Sequence, residues 1–128
     1  MTVRGIVGCI STHDGGDGSG DDGDGDTHLS LLLDPGQSKY LTPGNSVWGC
    51  GNDQGSDTAP RMVVEVIPQH CTARPDNCAD RGHFRTPAIP QNGQHVAITG
   101  AWVLDTSRYH GATLWAEIHP AFRILVDG

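Results

Sequence analysis

The chain is poor in aromatic residues, at 5%, and contains a single lysine, Lys39. It has no apolar run approaching the roughly 18 residues that a membrane-spanning helix requires, so a helical membrane span is excluded. No segment keeps a 3.6-residue apolar stripe over three turns, which removes long amphipathic helices from the expected architecture. The sequence also has no C-x-x-C pair, G-x-S-x-G, Walker or dinucleotide fingerprint. Zinc-knuckle spacing, serine hydrolysis, nucleotide hydrolysis and Rossmann chemistry therefore have no support. The opening "MTVRGIVGCI" lacks a long apolar stretch ending in a small-residue cleavage site. It is no signal peptide, and the chain reads as cytoplasmic or as a mature secreted form.

Basic charge is scarce as well: 8 Lys and Arg stand against 15 Asp and Glu, for a formal charge of −7. Six of the aspartates (Asp14, Asp17, Asp21, Asp22, Asp24, Asp26) fall between His13 and Asp26, so the rest of the chain is near −1. Arg74, Arg81 and Arg85 are interleaved with Asp76 and Asp80 and form no basic stripe. Affinity for phosphates rests largely on Lys and Arg, so nucleic acid is not a favoured partner. An unidentified small ligand or a protein fits better.

What the sequence does hold is 18 Gly and 8 Pro in 128 residues, a length that suits one domain of short strands and many turns. Five runs are rich in β-branched or alternating apolar residues: 2–10, 27–34, 61–67, 94–105 and 113–126. Gly/Asp-rich residues 11–26 form a flexible, solvated loop between the first two runs, and a helical turn is expected within 76–85. Asn92-Gly93 marks a turn. Closing the sheet removes exposed edges, so the expected fold class is all-β, a small five-stranded OB-like barrel with long loops over residues 1–128. Pro120, inside the last run, is expected at an edge, bulge or bend.

Side chains alternate across a strand, which sorts the ionisable residues. Leu29, Leu31 and Leu33 share one face and His28 the other; Met62, Val64 and Val66 oppose Glu65; Ala116 and Ile118 oppose Trp115, Glu117 and His119. In an OB order the second strand lies beside the third and the third beside the fifth, which gathers His28, Glu65, Glu117 and His119. Two imidazoles and one or two carboxylates can bind a divalent metal, zinc or another transition ion, and a carboxylate beside an imidazole can orient a proton transfer. The competing reading is a solvated strand face beside a covering Trp115.

The elements "DGDTHL" (24–29), "VVEVIP" (63–68), "ITGAWVLD" (98–105) and "HGATLWAEIHP" (110–120) resemble those of a poorly characterised family of small bacterial proteins. Its members carry G-D-x-H-L, E-I-P, V-x-G-x-x-x-x-D and H-G…E-(I/L)-H-P in the same order. The resemblance implies an OB-like barrel and singles out Asp26, His28, Glu65, Asp105, His110, Glu117 and His119, without an established reaction. His28, Glu65, His110, Glu117 and His119 are the candidate metal ligands; Asp26, Asp105 and Trp115 are candidate ligand-binding residues. Here "TSRY" separates Asp105 from His110, where members often have H-G directly after the Asp.

"GDGDTHLSL" is also similar to the D-G-D-T strand of staphylococcal-type nucleases, which are calcium-dependent OB-type barrels. The arginines that would neutralise a phosphorane-like charge do not follow it. As an EF-hand, Asp22, Asp24 and Asp26 have the right spacing, but Thr27 and Leu33 stand where Gly and Glu are needed. Cys71 and Cys78 are the nearest pair, as a disulfide or as free thiols; Cys9 and Cys50 leave the pairing open. The expected function is a binding or accessory module. The alternatives are a metal-dependent hydrolase and a nucleic-acid-binding barrel in which Trp48, Trp102 or Trp115 stacks on bases.

Overall fold

The computed structural model describes residues 1–12, 25–46, 59–71, 75–105 and 114–127. Most of the Gly/Asp loop, Trp48, Cys50 and His110 lie outside the described residues.

The five apolar runs all become strands: β1 (Thr2–Thr12), β2 (Thr27–Leu33), β3 (Met62–Val66), β4 (His95–Asp105) and β5 (Trp115–Val126). They form a closed barrel in the order β1-β2-β3-β5-β4, with β4 returning to β1. The β3–β5 pair is parallel and the other pairs are antiparallel. This is the expected OB-like arrangement, and it places β3 between the strands that carry His28 and His119. The expected helical turn is α1 (Ala79–Gly82). Two 3-10 turns, Ser38–Tyr40 and Pro43–Ser46, occupy a connection that has no sequence periodicity to announce them.

Alternation sets the core. Val3, Val7, Leu29, Leu31, Met62, Val64, Val66, Val96, Ile98, Ala116, Ile118 and Ala121 are buried together inside the barrel. Each large aliphatic side chain removed from water in this way contributes about 1.5–3 kcal/mol. Leu114, in phase with Ala116 and Ile118, is exposed because β5 begins one residue later. The residues between the core positions, His28, Glu65, Glu117 and His119 among them, therefore project from the outer wall.

Pro120 lies at a bulge, as expected. Trp102 pairs with Ile118 and Gly100 with Ala121, so His119 and Pro120 together face Ala101 alone. A proline tolerates this position because a bulged residue is released from the ladder. Gly100 sits opposite, where an added Cβ would collide with the Ile118 side chain and the Pro120 carbonyl. The bulge and the missing side chain together let β5 fold tightly against β4 just after His119.

Cys71 and Cys78 form a disulfide across the loop that leads into α1. The Asn92-Gly93 turn is present, with Gly93 at φ 89° and its N–H donating to the Val7 carbonyl.

Candidate metal centre

Three strands and one loop build the cluster. Asp26 directly precedes β2, His28 lies on β2, Glu65 on β3, and Glu117 and His119 on β5. His28 and Glu65 are cross-strand partners. The parallel pairing of Val63 with Glu117 and Val64 with Ile118 brings the next residue, Glu65, level with His119. The polar faces of β2, β3 and β5, expected to converge, do converge.

Glu65 is the centre of the arrangement. Its Oε1 lies 3.0 Å from His28 Nε2, and its Oε2 lies 3.0 Å from His119 Nδ1. His119 Nδ1 is also 3.5 Å from Glu117 Oε1. The Trp115 indole donates to the other oxygen of that carboxylate, Oε2, at 3.1 Å. Asn77, in the disulfide loop, donates through Nδ2 to Asp26 Oδ1.

The carboxylates are withdrawn from water while the imidazoles reach its edge. Asp26, Glu65 and Glu117 are 2%, 9% and 4% exposed, whereas the His28 and His119 side chains are 22% and 33% exposed. A solvated strand face is therefore not what β5 presents at Glu117. Burial alone would raise the Glu65 pKa. The His28 hydrogen bond and the charges of His119 and His28 outweigh burial and the opposing charge of Asp105, and hold Glu65 below its ordinary value. Burial likewise disfavours the charged form of His119, but the hydrogen bond to Glu117 and the charges of Glu65, Glu117 and Asp26 push its pKa up to about 9. The shifts thus favour the carboxylate form of Glu65 and the protonated form of His119, and a metal taking His119 as a ligand would displace that proton.

Two groups of three have ligand atoms close enough to hold an ion. Asp26, His28 and Glu65 form one, and Glu65, Glu117 and His119 the other, with all ligand atoms of each group within 4.8 Å of one another. The barrel thus carries a buried His/Glu/Asp cluster able to hold a metal ion. One imidazole with carboxylate oxygens suits zinc and the first-row ions around it.

The other candidate residues stand differently. Asp105, half-buried at the end of β4 and paired in register with Trp115, is near enough for its charge to act on Glu65, but it belongs to neither group. Trp115 is 8% exposed and has its N–H committed to Glu117, so it supports the cluster and offers little face for stacking. Trp102 is exposed and donates its indole N–H to the Tyr40 carbonyl. His110 lies outside the described residues.

Two residues that sequence reasoning passed over hold the framework. Asn77 orients Asp26 from a loop whose path over the barrel no local pattern reveals. Asn45 is fully buried: Oδ1 accepts from the Thr42 and Ala116 N–H groups, and Nδ2 donates to the Arg61 and Ala116 carbonyls. It ties the second 3-10 turn to the start of β5, just ahead of Glu117. No protein-family model, curated protein or solved structure matches this chain.

Proposed function

We propose that the barrel is a binding module for a divalent transition metal, zinc or a first-row neighbour, held on its outer wall at Glu65. The observation that carries this reading is the desolvated Glu65 carboxylate, which has an imidazole nitrogen 3.0 Å from each oxygen and Glu117 beside one of them. Asn77 and Trp115 fix the carboxylates of Asp26 and Glu117 from behind, as outer-shell partners do around metal ligands.

A metal-dependent hydrolase is the second reading, favoured by the partial exposure of both imidazoles. An ion held by either group of three beside its half-exposed imidazole would keep an outward side on which water could be activated.

Thermal unfolding of chelator-stripped protein with added zinc, manganese or cobalt tests the proposal. An ion that binds only the folded state stabilises it by about 2.7 kcal/mol at a hundredfold excess over Kd. The melting temperature is expected to climb with ion concentration in the wild type and to stay flat in Glu65→Gln. A wild type indifferent to all three ions would overturn the proposal.

A further inference from the structure

We infer that the cluster holds two divalent ions bridged by the Glu65 carboxylate. Asp26 and His28 complete one position, and Glu117 and His119 the other. This inference rests on the metal-binding reading above and specifies its stoichiometry.

The geometry divides the ligands. The two groups of three share Glu65 alone, and the two Glu65 oxygens serve different groups, Oε1 facing His28 and Oε2 facing His119. A carboxylate whose oxygens diverge in this way can bind one ion at each, and such paired ions stand about 3.5–4 Å apart in two-metal sites. Each position has the same composition: one imidazole, one unshared carboxylate and one oxygen of Glu65. Each unshared carboxylate also has its own outer donor, Asn77 for Asp26 and the Trp115 indole for Glu117.

Charge points the same way. Asp26, Glu65 and Glu117 are three buried acidic groups, and the charge of Asp105 also reaches Glu65. Three carboxylates withdrawn from water around one divalent ion carry more negative charge than that ion balances, which is costly in a desolvated setting, and a second ion offsets it. With three protein ligands apiece, both ions retain positions for water or for an oxygen-bearing ligand.

The test is equilibrium dialysis of chelator-stripped, untagged protein against zinc, paired with electron paramagnetic resonance of the manganese-loaded protein. The expected result is two ions per chain and a spin-coupled manganese pair. His28→Ala and His119→Ala, each checked for folding by circular dichroism, should retain one ion apiece and lose the coupling. One ion per wild-type chain would overturn the paired site and leave the metal-binding reading standing, whereas none would overturn both. Two ions without spin coupling would overturn the Glu65 bridge.

Discussion

At the scale of single residues, the cluster depends on carboxylates held in place by neighbours outside the two groups of possible ligands. Trp115 is the clearest case, because its indole N–H fixes Glu117 while its ring is buried against the barrel wall. Trp115→Phe keeps most of the packing and removes the donor. Loss of an outer-shell partner typically weakens metal affinity about 10–100-fold. Competition with a chromophoric chelator should show a loss of that size, with the circular dichroism spectrum unchanged; unchanged affinity would make Trp115 a packing residue only. His28, Glu65, Glu117 and His119 could be selected from the sequence because each interrupts an apolar strand at the phase opposite to the core. Asn77 could not, since it sits in a loop and is brought to Asp26 by chain path alone. Asp26 carried a weaker signal, being the last of six aspartates in a stretch that reads as solvated loop.

At the scale of elements, the ends of the strands are clamped by a histidine outside the cluster. His95 begins β4; its Nδ1 lies 2.6 Å from Asp127 Oδ2, just past β5, and its Nε2 lies 2.9 Å from Asp34, just past β2. The hydrogen bonds to Asp34 and then Asp127 raise its pKa above the ordinary 6.5. A histidine raised on folding stabilises the native state through its charged form. That contribution is fully present below 6.5 and is lost as pH rises through the raised value. Urea midpoints of wild type and His95→Gln should therefore differ most in mild acid and converge as pH rises. A gap that widened with pH would contradict this clamp. The strands themselves were readable from apolar alternation, and Pro120 correctly marked a bulge, but β1 runs on to Thr12, where the loop over 11–26 was expected to begin, and β5 starts at Trp115 rather than at 113. The 3-10 turn held by Asn45 was not readable. Its hydrogen bonds go to Arg61 and Ala116, which are distant in sequence, and a Pro-Gly-Asn stretch reads equally as any surface turn.

At the scale of the whole molecule, closure of the barrel makes the cluster. With β3 between β2 and β5, Glu65 has a histidine strand on either side. Had β5 paired elsewhere, the same residues would have been scattered polar positions on a wet surface. A closed five-stranded barrel followed from strand number, chain length and the need to leave no open edge, whereas the strand order came with the choice of an OB-like barrel. The burial of Glu65 and Glu117 was not legible, because period 2 separates the inner wall from the outer wall without showing what covers the latter. Metal binding by the outer wall is tested most directly by elemental analysis of untagged protein purified without added metal, with His119→Ala as the comparison. One or two ions per chain in the wild type, and one fewer in a folded His119→Ala protein, is the expected result. Metal-free wild type that also takes up none on dialysis against zinc, manganese or cobalt would contradict the claim and leave the cluster as a buried imidazole–carboxylate network.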